Sequence, residues 1–332
     1  MRNIFYLLFL TLLSCSSPDN TILVTNSGEA QGSYFHIKYM SDYGEDYYFQ
    51  IDSILQEVDS SLSIYKPYSL ISRLNRGEKL RTDTLFNSVF LASQQVSFES
   101  GGVFDCSISP LLNAWGFYKS NLGDSIDIDS ARFKRILDDI GFQKIRLIRD
   151  SLVMPENMSL DFNAIAQGFT VDLISMYLET RSISNYLIEV GGEILAKGKN
   201  DQGNIWRIGV DKPSENIDLN ERFQFILALD NKALATSGNY RKFYKKDGVK
   251  YSHTINPFTG FPVQNRILSA TVIHDKCMLA DAYATAFMVM GLEETRQFVE
   301  KRPDIEIYLV YTDQNGDWKT YVSPKMLDRV ID

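Results

Sequence analysis

The sequence predicts an α+β protein, because helix and strand patterns occupy separate blocks of the chain. Strand patterns follow one another from Tyr186 to Ile273, which favours much antiparallel pairing. Strict alternation of strands with helices is absent, and no G-x-G-x-x-G follows an early strand. A Rossmann domain is therefore disfavoured, and we expect mixed or antiparallel sheets packed against helices.

The first half of the chain combines two strand patterns with four amphipathic helix patterns. Apolar residues at every third or fourth position predict the helices, and glycines end the second and third of them. The strands are Thr21–Val24 and Tyr34–Tyr39, and the helices are Tyr47–Leu62, Leu85–Phe98, Ala131–Ile140 and Gln167–Leu178.

The second half consists mainly of short apolar runs bounded by Gly, Asn or Asp-Gly, which are typical of strands. These strands are Trp206–Val210, Phe223–Leu229, Arg241–Tyr244, Val249–His253, Leu268–His274, Ile305–Tyr311 and Trp318–Val322. An Ala-, Met- and Leu-rich segment that ends at Gly291 predicts a helix instead, and a second helix follows it. These helices are Met278–Met290 and Glu293–Lys301.

The composition is that of a folded globular protein with an acidic balance. The 332 residues are 44% apolar and 23% charged, and the net charge is -8. Because no Lys/Arg stripe is visible, nucleic-acid binding is disfavoured.

The N-terminus predicts a bacterial lipoprotein. Arg2 precedes the apolar run Ile4–Leu13, and Leu-Leu-Ser then leads to Cys15 in the pattern of a lipobox. We expect a signal peptide over residues 1–14, lipid on Cys15, a polar tether over 15–20 and a folded domain over 21–332. The protein would then face the periplasm of a bacterial envelope, with lipid as its membrane anchor. A plain secretory signal with an incidental Cys is the alternative.

Two further cysteines, Cys106 and Cys277, would share an oxidising compartment. A disulfide between them is one outcome. Free, largely buried thiols are favoured, because no Cys spacing suggests a disulfide framework.

The helix Met278–Met290 carries a carboxylate and a hydroxyl four residues apart, Asp281 and Thr285. This spacing places both on one helix face, and oxygen ligands so arranged suit a hard cation such as Mg²⁺. Alternatively, Asp281 only complements the helix dipole and Thr285 is a core hydroxyl.

His253 lies just before the turn signal Asn256–Gly260, for which Pro257 and Gly260 predict a type I turn. This position favours a positioned polar group, while a structural histidine is the alternative. The segment T-S-G-N-Y, Thr236–Tyr240, adds two hydroxyls and a glycine that a ligand can approach closely.

Seven motifs in a fixed order resemble one known family, the ApbE-type FAD:protein FMN transferases and their flavin-trafficking lipoprotein members. They are Gly32–Tyr34, Ser63–Asn75, Gly101–Phe117, Leu160–Asp172, Tyr186–Ile194, Trp206–Pro213 and the block Ala235–Gly291. The resemblance implies that residues 21–332 form an ApbE-like catalytic domain, related to the T-fold, with the active site in a cleft between lobes.

The resemblance also implies a set of site residues. Asp281, Thr285 and the backbone carbonyl of Thr170 match the metal ligands. The cofactor-binding positions are Gln31, Tyr65, Val103, Phe104, Asp105, Gln167 and Ile255.

Two of these positions leave alternatives open, and a third departs from the family. Tyr65 falls where an aromatic ring stacks on the flavin, or it is a surface tyrosine at a helix end. The Asp105 carboxylate accepts a hydrogen bond from a ribose or base of the ligand, or it caps the following turn. Many family members have Lys where Gln167 stands, so this chain loses a positive charge there.

The implied chemistry is phosphoryl transfer with FAD as substrate and Mg²⁺ as cofactor. A Thr or Ser hydroxyl of an acceptor protein, such as a subunit of a redox complex, attacks the FMN-side phosphorus, and AMP leaves. His253 is the best proton acceptor for that hydroxyl. Two alternatives are a FAD pyrophosphatase that yields FMN and AMP, and a lipoprotein that stores flavin without turnover.

Overall fold

A computed structural model describes residues 21–118, 130–212, 223–239, 243–246, 249–252 and 254–331. Within these ranges the strands are β1 (Ile22–Ala30), β2 (Ser33–Ser41), β3 (Arg146–Ile148), β4 (Ser151–Val153), β5 (Tyr186–Val190), β6 (Glu193–Lys197), β7 (Trp206–Asp211), β8 (Phe223–Leu229), β9 (Lys232–Gly238), β10 (Phe243–Lys246), β11 (Val249–Ser252), β12 (Ile267–His274), β13 (Glu306–Thr312) and β14 (Trp318–Val322).

Helices lie mainly in the blocks before β5 and after β12. They are α1 (Tyr48–Leu62), α2 (Leu70–Asn75), α3 (Thr84–Glu99), α4 (Ser109–Ala114), α5 (Ser130–Asp139), α6 (Ala166–Thr180), α7 (Cys277–Met290), α8 (Leu292–Glu300) and α9 (Pro324–Leu327), with a short 3₁₀ helix at Phe142–Lys144.

The centre of the fold is a sheet of eight described strands in the order β1-β2-β5-β6-β9-β12-β13-β14. Every neighbouring pair in this sheet is antiparallel. Alternate residues of each strand face opposite sides. One side packs on helices, and the β7–β8 hairpin covers the other side through Ile194, Leu234 and Ile273. The predicted α+β architecture with antiparallel sheet is confirmed.

Helix α7 is the most deeply enclosed helix of the described structure. Ala280, Ala282, Ala284 and Phe287 are fully buried, and the helix packs between β9, β12, α3 and α6. A helix that is apolar on nearly every side is buried rather than amphipathic. The Ala-rich sequence therefore places this helix inside the core, where it is held from several directions.

The predicted elements are present, with ends that differ by one or two residues in most cases. The first strand is the main exception, since it runs to Ala30 instead of Val24. Asn26-Ser27-Gly28 resembles a turn in sequence, but Asn26 is buried and donates to Asp46. Gly28 leaves room for the ring of Phe35 on the neighbouring strand, so the strand continues.

Several short elements have no counterpart among the sequence predictions, and α2 and β9 are two of them. Helix α2 is only six residues long, too short for periodicity to show, and begins at Ser69, whose hydroxyl accepts from the Ser72 N–H. Strand β9 contains the T-S-G segment, whose small polar residues do not show the apolar pattern of a strand.

The two buried cysteines are free and belong to different apolar clusters. Over the described ranges, no helix combines the length and apolarity needed to cross a membrane. The signal peptide and Cys15 lie outside the described residues.

Gly168 of α6 lies against the start of α7 with no space for a side chain. A Cβ at this position would overlap the carbonyl oxygen of Cys277 and come within 2.9 Å of the Asp281 Cβ. In an open helix, Gly→Ala stabilises by about 0.5–1 kcal/mol. We expect Gly168→Ala to destabilise by about 1–3 kcal/mol instead, because it separates two packed helices. Urea unfolding measures this difference, and a stabilised variant would contradict the close contact.

Candidate active site

The start of α6 faces a buried carboxylate on α7. The Gly168 N–H donates to Asp281 Oδ2 at 3.1 Å, and Asp281 is only 6% exposed. Burial raises the pKa of Asp281 to about 7, an effect that the Gly168 bond opposes and the nearby charge of Asp172 increases. Among the described residues no Lys or Arg pairs with this carboxylate. The site is therefore an uncompensated acidic group beside free helix N–H groups.

A second carboxylate, Asp172 of α6, is bonded to the first turn of α7. Its two oxygens accept from the N–H groups of Cys277 and Met278 at 2.9 and 3.0 Å. Burial raises its pKa to about 6. Asp281 is the fifth residue of α7. Asp172, and not Asp281, is therefore the carboxylate at the N-terminus of α7, where it complements the helix dipole.

Thr285 lies one turn after Asp281 and contacts β9. Its hydroxyl is 3.0 Å from the hydroxyl of Ser237, and it is half-buried in an otherwise enclosed helix. The T-S-G segment therefore borders the Asp281–Thr285 face, as its place in the motif block suggested. Ser237 is not among the predicted site residues, although the hydroxyls of Thr236 and Ser237 in the sequence could have indicated it.

Thr170 is fully buried within α6. Its hydroxyl donates to the carbonyl of Ala166 and accepts from Gln31 Nε2, both at 2.8 Å. Its carbonyl lies in the body of the helix, where the N–H four residues on is the ordinary partner. A metal bound at this carbonyl would have to share it with that N–H. Gln31, at the β1–β2 turn, contacts α6 through this bond.

Gln167 lies on the Gly191-Gly192 turn. A Cβ at Gly191 would overlap the Gln167 side-chain amide, so a larger residue there would displace that amide. Both glycines have positive φ, 68° and 107°, in the two-residue turn between β5 and β6. These glycines therefore form the hairpin turn that joins β5 to β6.

Tyr65 lies beside the segment that leads into α6. It is 64% exposed, and its hydroxyl accepts from Asn163 Nδ2 at 3.2 Å. Asp161 in the same segment is buried and accepts from the Asn163 N–H and the Tyr118 hydroxyl, each at 2.6 Å. Because the Tyr65 ring is exposed while its hydroxyl is held by Asn163, the ring is suited to stacking on a planar ligand.

Asp105 is engaged within the protein. Its Oδ1 accepts from the N–H and hydroxyl of Ser107 at 2.8 and 2.6 Å, and its Oδ2 accepts from the Phe142 N–H at 2.9 Å. The turn-capping role is therefore present. Phe104 is a core residue, and Val103 lines a surface cleft of about 560 Å³ beside α8.

The turn Asn256–Gly260 is fixed by the core around Trp115. Ile255 is buried in that core, and Trp115 Nε1 donates to the Gly260 carbonyl at 2.7 Å. The Gly260 N–H donates to the Asn256 carbonyl at 2.7 Å, so the turn is one residue wider than the predicted type I turn. Its Phe258 ring lies against Gly102. Trp115 is a core residue. His253 lies outside the described residues.

Comparison with known proteins settles the family. The sequence model of the ApbE family matches residues 31–309. The chain belongs to the ApbE family. A Vibrio cholerae protein named FAD:protein FMN transferase is 34% identical over 95% of this chain and 94% of its own length. A Haemophilus influenzae protein of the same name is 30% identical, with 92% and 91% covered.

A solved structure is similar over almost the whole ApbE-family domain. The flavin transferase ApbE from Vibrio cholerae superposes with a TM-score of 0.82 at 32% identity, covering 93% of this chain and 99% of that chain. The fold and the order of the motifs are therefore shared.

Asp281 and Thr285 of α7, which face the start of α6, fit a hard cation. Within the described ranges, no group of three or more His, Cys, Asp or Glu residues is placed to hold a metal. Asp281 instead offers a single buried carboxylate without a cationic partner, with the Thr285 hydroxyl one turn away. Mg²⁺ is commonly held by one or two carboxylates while substrate phosphates and water complete its shell.

The raised pKa of Asp281 predicts a pH-dependent stability for metal-free protein. An unfolded aspartate titrates near 3.9, whereas the folded group holds its proton to about pH 7. Folding therefore takes up a proton between about pH 4 and 7, and stability falls as pH rises through that window. We expect Asp281→Asn to match wild type below about pH 4 and to exceed it by on the order of 2 kcal/mol at pH 8.

Chemical denaturation in EDTA across this pH range measures the difference between the two proteins. A difference that does not change with pH would mean that Asp281 is ionised throughout.

Proposed function

We propose that this ApbE-family protein is a FAD:protein FMN transferase. It moves FMN from FAD onto a Thr or Ser hydroxyl of an acceptor protein and releases AMP. The observation that carries the proposal is the buried carboxylate of Asp281, which faces the start of α6 and has no Lys or Arg partner among the described residues. The fold is shared with a flavin transferase. A helix N-terminus and a metal together are suited to a pyrophosphate.

The reaction is a displacement at phosphorus. The acceptor oxygen forms a bond to the FMN-side phosphorus, and the bond from that phosphorus to the bridging oxygen breaks, so that AMP leaves with the electron pair. His253 takes the proton of the attacking hydroxyl. In such reactions a protein acts mainly by positioning groups and neutralising charge.

The metal is Mg²⁺, held by Asp281, Thr285 and a carbonyl at Thr170. When bound it offsets the phosphate charge, which this acidic site does not do by itself. Gln167 supplies a hydrogen-bonding amide where other family members have Lys. The site thus depends on the cation more than a site with a lysine would.

The flavin and the nucleotide bind at the positions that the family resemblance implies. Tyr65 stacks on the isoalloxazine, with Gln31 near the opposite side of α6. Val103, Phe104, Asp105 and Ile255 border the nucleotide. Asp105 orders its loop through Ser107 and Phe142 and leaves backbone groups of the segment for the ligand.

The acceptor is a subunit of a redox complex, and the protein works at the periplasmic side of a bacterial membrane. The lipobox at Cys15 supports lipid anchoring, which holds the domain near membrane-bound acceptors.

One assay separates this function from its two alternatives. Protein, FAD, Mg²⁺ and a peptide with an acceptor Thr are incubated, and the peptide is weighed by mass spectrometry. A mass gain of FMN with equimolar AMP supports transfer. AMP without modified peptide indicates a FAD pyrophosphatase, and intact bound FAD indicates storage.

Asp281→Ala should abolish Mg²⁺-dependent transfer in this assay, because it removes the charged ligand. Thr285→Ala should do less damage, since water replaces a neutral hydroxyl. Both variants are assayed over a Mg²⁺ titration, with thermal melting to confirm folding. Wild-type turnover of Asp281→Ala at limiting Mg²⁺ would refute the assignment.

His253→Ala should slow transfer by about 100-fold or more while FAD still binds. The pH profile should lose its limb near neutral pH, since an unperturbed His titrates at about 6.5. Turnover and FAD affinity are measured on the same preparation. A parallel fall in affinity, stability and turnover would indicate a structural histidine instead.

Cys15→Ser should prevent lipid attachment and leave the protein uncleaved or soluble. Incorporation of labelled fatty acid in cells reports the modification directly. Label that still enters the variant would show that the lipid is elsewhere.

A further inference from the structure

Helices α6 and α7 are joined by two reciprocal hydrogen-bonded contacts. The Gly168 N–H of α6 donates to Asp281 of α7, and the Cys277 and Met278 N–H groups of α7 donate to Asp172 of α6. Each helix thus contributes a carboxylate to the other helix's N-terminal N–H groups. On each helix the bonded N–H groups and the carboxylate are about one turn apart: four residues on α6, and three or four on α7.

This contact sets the position of the metal-binding residues. Asp281 and Thr285 belong to the helix whose first turn Asp172 holds, and Thr170 belongs to the helix that carries Asp172. A helix moves as a rigid body, so a shift of its first turn is carried to residues four and eight positions on. Site geometry generally has to be held within about 0.5 Å.

Helix α7 has no capping side chain of its own. The residue before it, Lys276, makes no side-chain cap bond, and Cys277 is fully buried. Without Asp172, two N–H groups at a buried helix start lose their acceptor. The helix start would then move to find other partners, since buried donors left unsatisfied are costly.

We propose that Asp172 is a positioning residue of the metal site, acting by holding the first turn of α7 and through it Asp281 and Thr285. The inference rests on the metal site of the proposed function. Its assigned role is to hold α7 rather than to bind the metal, because each of its oxygens accepts from a backbone N–H group of the first turn of that helix.

The test compares two capping carboxylates in the full-length protein. Asp172→Asn keeps one acceptor oxygen and loses the other. Asp83→Asn is the matched control, since Asp83 accepts from the Phe86 N–H at 2.7 Å at the start of α3. Asp172→Glu keeps the charge but lengthens the side chain, which separates position from charge.

Binding of Mn²⁺ alone, followed by its EPR signal, gives the dissociation constant, and thermal melting gives stability. We expect Asp172→Asn and Asp172→Glu each to raise the Mn²⁺ Kd about tenfold or more. Asp83→Asn should lower the melting temperature and leave the Mn²⁺ Kd unchanged. Transfer by Asp172→Asn should need more Mg²⁺ for half-maximal rate while kcat at saturating Mg²⁺ stays near wild type.

Three outcomes overturn the inference. A wild-type Mn²⁺ Kd in both Asp172 variants, with lowered stability, makes Asp172 a structural cap only. A raised Kd in Asp172→Asn but not in Asp172→Glu assigns the effect to charge. Wild-type protein that transfers FMN without binding Mn²⁺ removes the metal site and leaves the proposed transfer activity standing. If Asp172→Asn does not fold, Asp172→Glu alone decides between the first result and the expected one.

Discussion

The contact between α6 and α7 is the constraint on which the site depends. Gly168 lets the two backbones approach so closely that a side chain there would strike the α7 backbone. At that distance, each helix can offer a carboxylate to the other's first N–H groups. Because α7 is enclosed by sheet and helices, this geometry is held by the core rather than by the site itself.

The acidic character of this contact explains why we expect a phosphorylated ligand to bind there only together with a cation. Asp281 is buried and Asp172 is half-buried, and the loss of solvent raises the pKa of each above that of a free aspartate. Two neighbouring acidic groups repel an anionic pyrophosphate, and a bound cation reverses the sign of the local field. The same cation favours the ionised form of Asp281. Under the proposed function, the bound metal would supply the positive charge that the described residues of the site lack.

Much of the fold was predictable because its signals are local. Apolar periodicity located the helices that flank the site, and Gly291 marked the end of α7. Elements such as α2 and β9 were missed, because a six-residue helix shows too little periodicity and a strand of small polar residues lacks the apolar pattern. Among site residues, the spacing of Asp281 and Thr285 was visible in sequence. The role of Asp172 was not, because its partners are more than a hundred residues away.

By itself the sequence determined the fold class, the family through its ordered motifs, and the residue types that can bind a cation. Only the tertiary structure decided which carboxylate caps α7, that Asp105 orders its own loop, and that Gly191 lies beneath Gln167. The physical reason is the distance along the chain over which each kind of signal acts. Periodicity and spacing act between neighbours in the chain, whereas burial and hydrogen-bond partners depend on which distant segments the core brings together.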